Sequence, residues 1–190
     1  MTNVDLSRFS GAGFDRGAGK FKEALWVLVR CLFFAPAWPW PARLRVFWLR
    51  RFGAKIGSGV VIRSRVNVHF PWRLEVGDHV WIGEECWLLN LAPITIESNV
   101  CLSQRTFLCT GNHDYTSPNF DLRVQPILVQ NGAWVGAASF VGPGVTIGLH
   151  AVLTAGSVAT QSLLPQKIYR GNPAGVIKDR RLTSPEISKG

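Results

Sequence analysis

His113 lies in a polar stretch, TGNHDYTSPNF (residues 110–120), which interrupts a regular pattern of aliphatic, glycine and small residues. Imidazole changes its charge near neutral pH, so a histidine held in a loop can take a proton from a substrate as a general base. The alternative interpretation is that His113 is simply a polar residue of a turn. The choice depends on the elements that hold the loop in place.

A period of six runs along both sides of this loop. Aliphatic residues recur at Ile56, Ile62, Val68, Val76, Ile82, Leu88, Ile96, Leu102, Leu108, Val129, Val135, Val141, Ile147 and Leu153. Glycine follows several of them, at Gly57, Gly77, Gly83, Gly136, Gly142 and Gly148. A small or β-branched residue stands four positions after most of the aliphatic ones. Such repeats predict a solenoid, in which each unit buries its apolar face against its neighbours.

A period of six does not fit a helix of 3.6 residues per turn, but it fits a short strand followed by a corner. Three such units make one coil of a triangular prism, with the aliphatic side chains stacked inside. The segment between Leu108 and Val129 is too long for a regular corner and predicts an inserted loop. A solenoid tolerates such an insertion because the stack beneath it is not disturbed.

The segments IGSGVVIRSRVNV, VGDHVWIGEECWLLNLAPITIESNV and VGAASFVGPGVTIGLHAVLTAGSVAT resemble the hexapeptide-repeat acyltransferases. Within that family, FGAKIG, PWRLEVGDHVWIGE and LSQRTFLCTGNHDYTSPNFDL resemble the colanic-acid O-acetyltransferase-like branch, over roughly residues 20–180. The resemblance implies an all-β fold, a left-handed parallel β-helix with N-terminal helices. Handedness rests on the resemblance alone, because crossovers between parallel strands are normally right-handed.

The resemblance also implies the activity: direct transfer of acetyl from acetyl-CoA to a hydroxyl of a sugar or polysaccharide precursor, with His113 as general base. Three residues are expected to contact the acceptor: Asn90, Asp114 and Trp134. Each has an alternative: Asn90 a corner turn residue, Asp114 a turn residue rather than an orienter of the imidazole, and Trp134 ordinary coil packing. Leu89 stands where the branch tends to carry an acid, so the acceptor's identity stays open.

For the donor, the resemblance nominates residues that let coenzyme A lie along the prism wall. These are Ala137, Gly142, Ala155, Thr160 and Lys178, the last of which could meet phosphates together with Arg180 or Arg181. The alternative is that the small residues serve the corners and that the basic ones form a solvated tail. The family also implies a homotrimer with sites between subunits.

Residues 21–52 differ from the rest, being apolar, aromatic and basic, and they predict two helices at about 20–35 and 41–51. They are expected either to cap one end of the prism or to contact a membrane surface, as basic apolar helices do. The remaining boundaries are a flexible N-terminus at 1–20, the β-helix at 53–180 with its loop at 109–128, and a C-terminal tail at 181–190.

The net charge of +9 and the pI near 10.0 favour anionic partners. Nucleic acid is disfavoured, because the aromatic residues cluster near the N-terminus and do not alternate with basic ones. Cysteines without a CxxC pair and the lack of a cleavable leader favour the cytoplasm, with peripheral contact to the inner membrane face as an option.

The alternatives to a sugar O-acetyltransferase are acylation of a smaller alcohol, a non-catalytic binding protein, and a γ-type carbonic anhydrase. The last needs three converging histidines, which the spacing of His69, His79, His113 and His150 does not provide. No metal is expected.

Overall fold

A computed structural model describes residues 3–11 and 13–183. Residues 1, 2 and 12 of the predicted N-terminal segment and residues 184–190 of the predicted tail lie outside the described part. Two helices come first, α1 (Lys20–Phe33) and α2 (Ala42–Arg51), and short 3₁₀ turns occur at Leu6–Arg8 and Pro71–Arg73.

After these helices the described part of the chain contains nineteen strands, most of them two or three residues long. In chain order they are β1 (Lys55–Ile56), β2 (Val61–Ile62), β3 (Asn67–Val68), β4 (Leu74–Val76), β5 (Trp81–Ile82), β6 (Trp87–Leu89), β7 (Ile94–Ile96), β8 (Cys101–Leu102), β9 (Phe107–Cys109), β10 (Gly111–His113), β11 (Leu122–Val124), β12 (Ile127–Val129), β13 (Trp134–Val135), β14 (Phe140–Val141), β15 (Thr146–Ile147), β16 (Val152–Leu153), β17 (Val158–Ala159), β18 (Lys167–Gly171) and β19 (Ala174–Asp179).

Three sheets of mostly parallel strands form the faces of a prism. Face one has the order β1-β4-β7-β12-β15, face two has β19-β18-β16-β13-β8-β5-β2, and face three has β17-β14-β9-β6-β3. Successive strands of the chain therefore pass from face to face, and each strand pairs with the one a coil away. This is the parallel β-helix that the period of six predicted.

The length of a coil varies along the prism. Lys55 pairs with Glu75, and Glu75 with Thr95, so these coils advance 20 residues. Beyond the inserted loop Leu128 pairs with Thr146, an advance of 18. Extra corner residues around Pro71–Arg73 and in the LAP stretch explain why the aliphatic register slips in the sequence.

The prism interior is built from the repeat positions. Every aliphatic residue of the period is buried except Ile56, which is half-buried. The small residues four positions later, from Val66 to Ser157, are buried as well, with Val60 again half-buried. Dense packing of these stacked side chains gives a rigid column, and removing any one of them would leave a cavity.

The helices close one end of this column. Trp26, Val29 and Phe34 on the α1 side, with Leu49 and Phe52 on the α2 side, are buried in the same core as the coils. The indole of Trp26 also donates a hydrogen bond of 3.1 Å to the carbonyl of Val68. The capping expected from the sequence is therefore present.

Arg45 of α2 ties this cap together. Its side chain is buried and donates to the carbonyls of Phe33, Trp38, Trp40 and Ile62, at 3.0–3.4 Å. These carbonyls belong to α1, to the linker and to the first coil. No helix among the described residues combines the length and the apolar content needed to span a membrane.

Candidate active site

The inserted segment forms a hairpin rooted in the prism wall. Strands β10 and β11 pair antiparallel, with His113 opposite Leu122. At the base, the buried hydroxyl of Thr110 donates to the carbonyl of Leu89 and accepts from the amide of Ala92, at 2.8 and 2.9 Å. The hairpin leaves the corner between faces three and one, and its position is fixed by these bonds.

The ring of His113 is held on several sides. Its Nδ1 lies 2.8 Å from the carbonyl oxygen of Phe120, and the two rings stack with centroids 4.3 Å apart. Phe9 of the N-terminal segment adds an edge-to-face contact at 5.6 Å. A carbonyl can only accept, so Nδ1 carries the proton and the lone pair of Nε2 is left free to take one.

Asp114 shapes the turn beside this histidine. Its carboxylate accepts from the amide and hydroxyl of Thr116 and pairs with Arg123. The bonds from Thr116, followed by the charge of Arg123, lower the pKa of Asp114 below its usual value. The geometry matches the turn alternative for Asp114, and a main-chain carbonyl orients the imidazole instead.

A cavity of about 690 Å³ opens beside His113. It is lined by Asn112, His113, Asp114, Tyr115, Arg123, Phe140, Gly142, Pro143 and Thr160, among others. The structure thus brings together four residues chosen from the sequence, two from the loop and two from the end of face three. A volume of this size can hold part of a small-molecule substrate.

Gly142 differs from the other repeat glycines in what surrounds it. A Cβ at Gly136 would meet the amide nitrogen of Ala155 at 2.5 Å, so the close approach of coils requires glycine there. At Gly142 the nearest atom would lie 3.4 Å away, an ordinary contact. The fold therefore accepts a side chain at Gly142. Because glycine has none, the cavity is wider at this point.

Other predicted residues lie away from this cavity in the single chain. Trp134 is 47% exposed on face two, and its indole donates to the hydroxyl of Ser103 at 2.9 Å. Ala137 and Ala155 occupy neighbouring corners between faces two and three, where the amide of Gly156 donates to the carbonyl of Ala137. The structure does not bring them to His113 of the same chain.

The basic residues near the C-terminus line a separate cavity of about 650 Å³, with Lys178, Arg180 and Arg181 on its wall. The Arg180 guanidinium donates to the carbonyls of Gly132 and His150, so its bonding capacity is partly used by the fold. Lys178 and Arg181 are exposed here.

Asn90 occupies the interior of the wall. It is fully buried, its Oδ1 accepts from the amide of Phe70 at 2.8 Å, and its Nδ2 donates to the carbonyl of Phe70. Both halves of the amide are used in joining adjacent coils. These bonds match the alternative of a structural corner residue for Asn90, and its contact with the acceptor stays a prediction.

This gives a first testable expectation. Asn90→Ala should lower the free energy of unfolding by about 2 kcal/mol, because the buried amide of Phe70 loses its partner and the carbonyl of Phe70 keeps only its bond from the amide of Arg73. Urea unfolding at fixed protein concentration measures the loss, with Asn131→Ala at a partly exposed corner as the control. An unchanged unfolding midpoint would contradict the structural role and favour the predicted contact of Asn90 with the acceptor.

The remaining histidines have structural surroundings. His79 and His150 sit at corners with φ of +55° and +54°, and His69 packs against the ring of Phe70. Among the described residues, no three or more metal-binding side chains come together as a metal site. Phe9 and Phe120 contact His113 but were not predicted, because nothing in the local sequence pairs them with that ring.

No protein-family model matches the sequence. Individual relatives with known names do match it and agree with this architecture. An Escherichia coli K12 protein provisionally named colanic acid biosynthesis acetyltransferase WcaF is 43% identical over 176 residues, covering 93% of this chain and 97% of its own. The galactoside O-acetyltransferase of the same organism is 25% identical over 134 residues, covering 69% and 66%.

Solved structures give the same result. The hexapeptide-repeat-containing acetyltransferase VCA0836 of Vibrio cholerae superposes with a TM-score of 0.76 at 26% identity, over 86% of this chain and 95% of its own. Its complex with acetyl-CoA superposes with a TM-score of 0.79 at 22% identity, over 92% and 97%, which supports the fold. The predicted left-handed parallel β-helix with N-terminal helices is confirmed, and the chain belongs to the hexapeptide-repeat acetyltransferase family.

Proposed function

We propose that this protein is an acetyl-CoA-dependent O-acetyltransferase whose acceptor is a hydroxyl of a sugar or polysaccharide precursor. The acetyl donor is supported by the family and by the relative crystallised with acetyl-CoA. The sugar acceptor is supported by relatives named for colanic acid biosynthesis and for galactoside acetylation. The observation that carries the chemistry is the imidazole of His113, fixed through Nδ1 at the edge of a cavity.

In the proposed reaction, Nε2 of His113 removes the proton of the acceptor hydroxyl. The hydroxyl oxygen bonds to the thioester carbonyl carbon, and the carbon–sulfur bond then breaks. The imidazolium returns the proton to the departing thiolate, which leaves His113 neutral for the next cycle. Transfer is direct, since the thioester is already activated and no acyl group needs to reside on the enzyme.

The complete site is proposed to form between subunits of a homotrimer. His113 and Gly142 lie at the end of face three, whereas Trp134, Ala137 and Ala155 lie on or beside face two. A neighbouring copy could bring these two sets together. Face two exposes Trp81 and Trp134 at 63% and 47%, which favours burial of that face in an assembly.

The proposed function is tested by following release of free coenzyme A from acetyl-CoA with a panel of acceptors. Nucleotide-linked sugars, lipid-linked sugars and small alcohols form its three arms, and mass spectrometry of each product locates the acetyl group. Turnover restricted to alcohols that are not sugars would overturn the acceptor class. Absence of turnover in every arm, from protein that binds acetyl-CoA, would overturn the enzymatic proposal.

Gly142 provides a test of the donor site. Gly142→Ala should raise KM for acetyl-CoA about 10-fold, because one methyl group narrows the cavity where the pantetheine arm is proposed to lie. Its thermal unfolding should match the wild type, since the new Cβ meets nothing closer than 3.4 Å. Gly136→Ala is the comparison and should unfold more easily, because its Cβ would collide with Ala155. A normal KM in Gly142→Ala places the donor elsewhere.

Phe9 is proposed to position the general base. Phe9→Ala should lower kcat about 2- to 10-fold, the equivalent of one aromatic contact, while KM for acetyl-CoA stays unchanged. Phe9→Tyr should restore the wild-type rate, because the ring is kept. Leu6→Ala, an exposed change in the same segment, serves as the control. Equal rates for Phe9→Ala and the wild type would remove Phe9 from the site.

A further inference from the structure

Helix α1 presents an apolar side to solvent. Its exposed residues are Lys20, Phe21, Ala24, Leu25, Val27, Leu28, Cys31 and Leu32. Apart from Lys20 at the first position, none of them carries a charge. At 100° per residue the apolar members span roughly 160° of the helix circumference. The exposed side is therefore continuous, with Phe21 exposed to 83% and Leu28 to 55%.

The other charged residues of α1 are Lys22, Glu23 and Arg30, and each has a partner in the N-terminal segment or in the prism. Glu23 forms an ion pair with Arg16 at 2.7 Å, and Arg30 donates to the side chain of Asn67 at 3.1 Å. The ammonium group of Lys22 lies 4.9 Å from the centre of the Trp72 ring. Each of these three charged side chains has a partner in the fold. The apolar residues of α1 are therefore left on its outer side.

Aromatic side chains continue the apolar side beyond the end of α1. Trp38 and Trp40 are exposed to 56% and 37%, and the indole of Trp40 donates to the carbonyl of Leu32. On α2 the exposed residues are Arg43, Phe47, Arg50 and Arg51. Tryptophan and arginine beside an apolar surface are typical of segments that lie at the boundary between lipid and water.

Charge identifies the occupant of this surface. Residues 20–52 contain seven lysines and arginines but one acidic residue, Glu23, which is already paired. Within the described residues, the side chains of Arg43 and Arg51 form no hydrogen bond or ion pair, are exposed, and can meet an anionic surface. Two copies of the chain packed against each other through α1 and α2 would bring these basic residues together, which is unfavourable.

We propose that the hairpin α1–α2 docks on an anionic lipid surface, with the apolar side of α1, from Phe21 to Leu32, inserted at the interface. The inner side of the hairpin caps the column while the outer side binds lipid, so one element serves both purposes. The attraction comes from the basic residues, and burial of the α1 leucines holds the protein there. This inference goes beyond the proposed acetyl transfer and does not depend on it.

The experiment is flotation of the full-length protein with vesicles. Vesicles of phosphatidylcholine alone are compared with vesicles containing equal amounts of phosphatidylcholine and phosphatidylglycerol. The protein should float with the anionic vesicles and lose binding as salt is raised. Leu25→Gln combined with Leu28→Gln should lower the partition coefficient at least ~10-fold, because two leucines no longer leave water.

Matched variants separate the contributions. Arg43→Gln combined with Arg51→Gln should weaken binding to anionic vesicles and reduce its salt dependence. Leu149→Gln combined with Leu164→Gln removes two exposed leucines outside the hairpin and should bind as the wild type does. Circular dichroism confirms that each variant folds.

Three results would overturn the proposal. The first is failure of the wild type to float with anionic vesicles. The second is undiminished flotation of the Leu25/Leu28 variant. The third is a change in the molecular mass of that variant by light scattering, with vesicle binding retained, which would assign the surface to a second copy of the chain. Acetyl-CoA turnover on the same samples, with an acceptor in solution, reports separately on the proposed function.

Discussion

His113→Ala is expected to lower kcat for acetyl transfer about 10²–10⁴-fold, the usual contribution of a general base. The variant removes the group that accepts the hydroxyl proton, while the stacked Phe120 and the hairpin base at Thr110 stay in place. KM for acetyl-CoA should change little, because the donor is proposed to lie along the wall near Gly142 and Thr160. Initial rates of coenzyme A release, measured with the acceptor found in the panel, give both constants.

The control for this change is His79→Asn. His79 sits at a corner with φ of +55°, a conformation that asparagine also tolerates, and it lies outside the cavity. Its turnover should equal that of the wild type. Wild-type turnover in His113→Ala would remove the imidazole from the mechanism.

Arg45→Met is expected to give the largest loss of stability, about 3 kcal/mol. Methionine keeps the apolar stem but removes the donors that satisfy carbonyls of α1, the linker and the first coil. Burial of the guanidinium lowers its pKa from the ordinary value, so desolvation offsets part of what these bonds contribute. The loss is measured from urea unfolding at fixed protein concentration.

Arg43→Met provides the matched control two residues away on the same helix. Arg43 is exposed, so this change should alter the free energy of unfolding by less than ~0.5 kcal/mol. Equal losses in the two variants would show that any arginine of α2 matters alike, and the role given to Arg45 would be wrong. A loss confined to Arg45 supports the view that its hydrogen bonds fasten the cap to the column.

The predictions for His113 and Arg45 concern two different requirements of the molecule, catalysis and stability. The column and its cap gain rigidity from buried side chains and satisfied carbonyls, which is what a loop-borne base needs for accurate placement. The hairpin that carries His113 is anchored at Thr110 and braced by Phe9, so a rigid wall and a projecting loop are combined. Changes in the column should therefore act on stability first, and changes around His113 on rate.

The sequence alone determined the prism. Each aliphatic residue of the period faces the interior because a strand and a corner carry the chain to the next face of the prism every six residues, with the same side turned inward, which is a local property. The position of the inserted loop followed from the same period, since the pattern stops at Leu108 and resumes at Val129. The resemblance supplied the handedness and the choice of His113, neither of which the period contains.

Tertiary structure decided the contacts between residues far apart in the chain. Phe9 reaches the ring of His113 from more than a hundred positions away, and Asn90 joins coils through the backbone of Phe70. The outward direction of the apolar side of α1 depends on the partners of Glu23 and Arg30, which are Arg16 of the N-terminal segment and Asn67 of the prism, both outside the helix itself. The repeats specify which side chains each coil buries. The hydrogen-bond partner of a polar group is specified by residues that folding brings together from distant parts of the chain. No local pattern in a single sequence encodes the distances between such residues.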